Sequence, residues 1–260
     1  MHRSASLSVR YPAADGIRGV ACLVVLVAHA ITMFFPKTAP YLAGSGKIGV
    51  WLFFVLSAFL LANNFLNNGF SRKNLLAYAT GRFLRIFPLF ILSVIVYRLL
   101  GTAEINTWRN VVDTIFFHKA FSHLWTIPVE FKFYICLPLV VYILLLAKRV
   151  GNLLFAVLLF VIILGIQQTI WPYANALINT LDLGYYFTTF VIGVMLAIAL
   201  PSKNLSFYGA AHVVSLAVIC LIMLSTPGAR YALLGYPLDY SLSIGLYILG
   251  LYGHSLFILH

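Results

Sequence analysis

Two titratable side chains stand where a hydrocarbon environment makes charge costly. They are His29, near the end of GVACLVVLVAHA, and Glu130, inside HLWTIPVEFKFYICLP. Ionisable groups within apolar spans usually face a cavity or a partner, because lipid gives a lone charge no solvation. On a helix starting near residue 17, His29 lies ~18 Å along the axis, hence ~12 Å below the far edge of a ~30 Å core. Glu130 lies ~9 Å below the same edge if its helix enters near Leu124. The two are level. A carboxylate bound to one imidazole nitrogen fixes the tautomer and raises the basicity of the other. The free nitrogen can then take a proton from an attacking hydroxyl. The same pair also suits a hydrogen bond that only joins helices.

A second group lies at the opposite level. Arg82 and Arg85, in GRFLRIFP, are three residues apart and share a helix face. Guanidinium forks match phosphate geometry, so two of them suit a phosphate-rich ligand; plain anchoring at the lipid headgroups needs only their charge. Arg18 shares their level. Lys132 is two residues beyond Glu130, on another helix face, and takes no role from spacing alone. Pro128 suits the first turn of the helix that carries Glu130.

The elements that must position these groups are membrane helices. The chain of 260 residues is 62% hydrophobic and 9% charged, with a mean hydropathy of +0.99. A water-soluble domain carries about a quarter charged residues, so the composition specifies an all-α polytopic membrane protein. Eight apolar stretches are long enough to span, at about 17–35, 48–66, 83–100, 124–147, 152–171, 183–200, 207–225 and 238–260. Polar breaks such as NNGFSRKN, AKRVGN and STPGAR separate them. They form a single transmembrane domain over residues 1–260. With the N-terminus in the cytoplasm, ten basic residues fall inside and six outside, which favours that orientation. Ala28-His29-Ala30 has the small-x-small form of a signal-peptidase site, but the apolar run continues through Phe35 and Asp15 and Arg18 lie close to its start. The net charge of +11 has no soluble domain to form a nucleic-acid surface, so no nucleic-acid partner is expected. Cys22, Cys136 and Cys220 lack metal-ligand spacing and read as small apolar residues.

Four motifs in order then resemble the membrane acyltransferase family three. Arg18, ten residues and His29 are similar to its Arg/Lys-ten-His signature, and GVWLFFVLSAFLL (49–61) to its second-helix pattern. RFLR (82–85) is similar to its Arg-x-x-Arg motif, and HLWTIPVEFKFYICLP (123–138) to its Trp-Ser-Leu-x-x-Glu block. Trp51, Ala58 and Phe131 stand where members often carry Asp, Gly and a second acid. Beyond residue 150 the resemblance is one of hydropathy alone. Members typically have about ten helices, so further helices are expected after His260.

The resemblance implies an O-acyltransferase of the bacterial inner membrane. It would move an acyl group, usually acetyl, from cytoplasmic acyl-CoA to a hydroxyl of an extracytoplasmic glycan or other envelope molecule. Arg82, Arg85 and Arg18 would bind the donor's phosphates, His29 would act as general base or transient acyl carrier, and Glu130 would orient it. The thioester is already activated, so no metal is expected. The competing reading is a transporter or flippase with Glu130 and His29 as a proton relay. Repeat symmetry with broken helices would favour it, and the sequence has no internal repeat.

Overall fold

The computed structural model describes residues 12–42, 45–119, 121–172, 180–200 and 227–235. Among them every regular element is helical. The helices longer than one turn are α1 (Pro12–Phe34), α2 (Ser45–Asn68), α3 (Arg72–Leu100), α4 (Trp108–Ile115), α5 (Thr126–Ile170), α6 (Phe187–Ala199) and α7 (Pro227–Leu234). α1, α2, α3 and α5 are long and apolar enough to cross a membrane. Six of the eight expected spans fall on described helices; 207–225 and 238–260 lie outside the described residues.

Local chemistry sets the boundaries. Ser71 caps α3, its hydroxyl accepting from the Asn74 amide, so the helix begins eleven residues before the apolar run expected at 83. Arg72, Lys73 and Asn74, read from sequence as part of a polar break, are its first turn. Gly101 ends α3 at φ 64° and ψ 30°, a left-handed conformation that glycine adopts without steric cost. Pro128 falls in the first turn of α5, where its missing amide proton has no helical acceptor to lose. A 3₁₀ turn at Ser122–Trp125 leads the chain into that helix.

α5 is two arms. Gly151 and Asn152 leave helical geometry, and Asn152 Oδ1 accepts from the Leu154 amide to cap the second arm. A straight helix would put residues 132 and 167 ~50 Å apart. Instead Lys132 Nζ donates to the Leu181 carbonyl at 2.6 Å and Gln167 Nε2 to the Gly184 carbonyl at 2.8 Å, so both arms start or end beside one short segment. The chain reverses at residues 151–152, as the expected break between 147 and 152 requires.

The core lies where α2, the first arm of α5 and α6 meet. Phe190 stacks on Phe133 at 4.1 Å and on Phe54 at 4.4 Å, and Trp125 stacks on Tyr186 at 4.8 Å. Close approach depends on missing side chains. A Cβ on Gly193 would meet the Val55 carbonyl oxygen at 2.1 Å, and one on Gly49 would meet the Ala21 carbonyl oxygen at 2.5 Å. Those contacts draw α6 and α1 against opposite faces of α2. The outer faces of α1 and α3 expose Leu23, Met33, Leu84 and Leu92, as side chains whose solvent is lipid do.

Candidate active site

His29 and Glu130 line one partly open cavity of about 800 Å³, bordered by α1, the segment that follows it, the start of α2 and the chain from His123 into α5. The two groups share a cavity, but their hydrogen bonds differ from the expected pair. His29 Nδ1 lies 2.7 Å from the Val25 carbonyl oxygen, one turn back on α1. A carbonyl can only accept, so Nδ1 carries the proton and Nε2 keeps the lone pair. Backbone geometry fixes the tautomer that a base requires, and a carboxylate is not the group that does so.

Glu130 has its own partner. Tyr134, one turn further along α5, donates its hydroxyl proton to Glu130 Oε2 at 2.6 Å. That proton being used, Ser57 Oγ, 3.0 Å away, donates to the Tyr134 oxygen. Tyr78 donates to the Tyr134 backbone carbonyl at 2.9 Å, fixing the same turn against α3. No hydrogen bond joins His29 and Glu130 among the described residues. In each case a group four residues away on the same helix is nearer than one across the cavity.

Glycine makes room for the imidazole. A Cβ on Gly46 would come within 2.9 Å of His29 Cε1. The ring thus rests against the backbone of α2.

Arg18, Arg82 and Arg85 converge from α1 and α3 on a second cavity of about 500 Å³, with Asn64, Asn68 and Asn74 on its wall. Arg18 also pairs with Asp15 at 3.4 Å, both exposed enough that the pair adds little to stability. A third space of about 160 Å³ lies between the first two. It is lined by all three arginines and by Ser57, Tyr134 and Glu130. Glu130 thus borders both the His29 cavity and the narrow space that leads to the arginines.

Lys47 and His123 also line the His29 cavity, and spacing did not single them out. Lys47 Nζ lies 5.9 Å from the centre of the Trp125 ring, and His123 Nε2 lies 2.8 Å from the Tyr97 hydroxyl. In the sequence Lys47 counted as one more loop charge; its place at the start of an apolar helix was the available signal. Lys132, left without a role, is a tether to Leu181. Cys22, expected among buried residues, is exposed on the cavity wall, because α1 gives that face no neighbour. Cys136 is partly buried, and Cys220 lies outside the described residues. Phe131, where an acid was usual, joins Phe87 and Phe117 at 5.9 and 5.7 Å. Trp51 is fully enclosed in the core.

Helical spans thus border three adjoining cavities, one lined by His29 and Glu130 and two by the three arginines. A family model described as "Acyltransferase domain" matches residues 11–259, nearly the whole chain. The chain belongs to that acyltransferase family. It is 26% identical over 200 residues to the peptidoglycan O-acetyltransferase OatA of Listeria monocytogenes, covering 66% of this chain and 30% of that protein. It is also 26% identical over 164 residues to the O-acetyltransferase OatA of Staphylococcus aureus, covering 53% of this chain and 26% of that protein. The chain thus matches less than a third of the length of these relatives. No solved structure matches.

Proposed function

We propose that the protein is a membrane O-acetyltransferase that moves an acetyl group from acetyl-CoA on the cytoplasmic side to a hydroxyl of an envelope glycan. The observation that carries the reading is the chain of cavities with Glu130 at its junction: three arginines at one end, a correctly protonated imidazole at the other. The relatives named O-acetyltransferase support the group transferred, and the Listeria relative, named for peptidoglycan, supports a glycan acceptor.

The phosphates of CoA sit among Arg18, Arg82 and Arg85, whose forks bind them by charge-assisted hydrogen bonds. Arg18 and His29 are eleven residues apart on α1, ~16 Å along its axis. The pantetheine arm of CoA separates phosphates from thioester and lies along the narrow space past Ser57 and Tyr134. At its end the thioester carbon enters the cavity of His29. Nε2 takes the proton of the acceptor hydroxyl as its oxygen attacks that carbon. The tetrahedral intermediate collapses, the carbon–sulfur bond breaks, and the thiolate recovers the proton from the imidazolium. The products are an ester and free CoA. Glu130 stands at the junction of this path, held there by Tyr134, and does not orient the ring. The lipid bilayer confines the donor and acceptor to opposite ends of the path.

The test is turnover by purified protein given acetyl-CoA and a hydroxyl acceptor. Free CoA and acetyl ester should appear in equal amounts, and His29→Ala should abolish both while the protein remains folded. Wild-type turnover in His29→Ala would overturn the assignment of the base.

A further inference from the structure

Three helices meet on Tyr134, and each holds a different part of it. Its hydroxyl donates to Glu130 on its own helix and accepts from Ser57 of α2. Its backbone carbonyl accepts from the Tyr78 hydroxyl of α3 at 2.9 Å, in a buried bond. That carbonyl needs an outside donor. A helix ordinarily supplies the amide four residues on, and here that residue is Pro138, which has no amide proton. Left unpaired inside a membrane the carbonyl would be costly, because lipid offers no water to satisfy it. Tyr78 therefore stands in for the missing amide. Its ring packs on Phe65 of α2 at 4.9 Å, which fixes where the hydroxyl points. Tyr78 also lies one turn before Arg82 on α3, and both line the arginine cavity. Tyr134 and Glu130 line the narrow space beside it. One hydroxyl thus ties the wall of the arginine cavity to the turn that holds Glu130.

We propose that Tyr78 is a positioning residue for the transfer: by replacing the amide proton that Pro138 lacks, it holds the Tyr134–Glu130 turn as the passage to His29 requires. The inference rests on the acetyltransferase reading above. Tyr78 does not touch the acetyl group. Without its hydroxyl the Tyr134 carbonyl must find another donor, and the first turns of α5 shift with it. Tyr134 and Glu130 then stand differently in a space of only about 160 Å³, along which the thioester has to reach the base. The guanidiniums still hold the phosphates. The loss falls on attaining the reacting geometry, not on binding the donor.

The experiment removes the hydroxyl with Tyr78→Phe in two backgrounds, native and Pro138→Ala, using detergent-purified protein with acetyl-CoA and soluble peptidoglycan fragments. Alanine returns an amide proton to the Tyr134 carbonyl and is the better helix former, so the second background should fold. In the native background Tyr78→Phe should lower kcat by about ten- to a hundred-fold. Affinity for free CoA should stay at the wild-type value, since the arginines are untouched. In the Pro138→Ala background the same change should cost about two-fold or less, the scatter expected of uncoupled sites. A tyrosine that served only stability would instead lower active fraction and CoA-binding capacity together, in both backgrounds. Equal loss in both backgrounds, no loss in the native one, or CoA affinity that falls with kcat overturns the inference and leaves the acetyltransferase reading standing. Should Pro138→Ala fail to fold, the split between kcat and CoA affinity in the native background decides alone. If wild type releases no CoA from acetyl-CoA, the acetyltransferase reading fails and the inference fails with it.

Discussion

At the scale of single residues, His29, the base of the proposed reaction, is positioned by two neighbours the sequence did not advertise. The Val25 carbonyl holds its Nδ1 proton, and the bare backbone at Gly46 supplies the surface on which the ring lies. Gly46→Ala would put a methyl group 2.9 Å from His29 Cε1 and 3.3 Å from Nδ1. The imidazole must then rotate, and misplacing a reacting group by about an ångström costs ~100-fold in rate. The expected outcome is a ten- to hundred-fold loss of kcat (~100-fold at most by that argument) with a near wild-type thermal midpoint in detergent. A loss of midpoint in step with activity would show that Gly46 serves packing instead. The residues proposed to carry the chemistry stood out in the sequence by type and depth: an imidazole and a carboxylate at one level, two arginines at another. Their partners were not, because Val25 and Tyr134 act through helix geometry at a spacing of four that every residue on a helix shares.

At the scale of elements, helix approach is set by positions without side chains. α6 meets α2 at Gly193, where an added Cβ would strike backbone, the Val55 carbonyl oxygen at 2.1 Å and the Phe59 nitrogen at 3.0 Å. Backbone cannot swing away as a flexible side chain can, so Gly193→Ala should destabilise by ~1–3 kcal/mol through overpacking. Gly165→Ala, on the second arm of α5, adds a methyl with nothing within 4 Å and should be neutral or slightly stabilising. Thermal unfolding of both variants in the same detergent checks the contrast; equal midpoints would remove the close-packing account of α2 and α6. Hydropathy located the spans because apolar length is a local property. It missed residues 72–82 of α3 because helix continuation there rests on a serine cap, not on apolarity. The reversal at residues 151–152 was legible, since AKRVGN combines charge with Gly and Asn at one point.

At the scale of the whole molecule, the separation of the two sites follows from connectivity. α3 runs ~43 Å from Arg72 to Leu100, so the loop after it and the break in α5 lie at opposite ends of the bundle. In the proposed reading the orientation follows the basic residues, which puts the arginine end in the cytoplasm. Single cysteines at Glu104 and Asn152, in a background lacking Cys22, Cys136 and Cys220, provide the check in intact cells. A membrane-impermeant maleimide should label position 104 directly and position 152 only after permeabilisation. The reverse pattern would place the arginines outside, away from any cytoplasmic donor. The three arginines share a cavity because α1 and α3, distant in sequence, flank the same side of α2. One-dimensional spacing suggested a common level but could not show convergence.

The central claim is a division of labour: arginines bind the donor, and the histidine performs the transfer. The measurement that tests it most directly is acetyl-CoA affinity, set beside turnover, for Arg82→Lys, Arg85→Lys and His29→Ala at matched salt, since phosphate binding is screened. Lysine keeps the charge but loses the fork. Each arginine variant should therefore weaken binding by roughly ten- to a hundred-fold, the cost of a charge-assisted hydrogen bond of ~1.5–3 kcal/mol. His29→Ala should bind acetyl-CoA as wild type does and turn none of it over. Wild-type affinity in both lysine variants, or lost affinity in His29→Ala, would contradict the account.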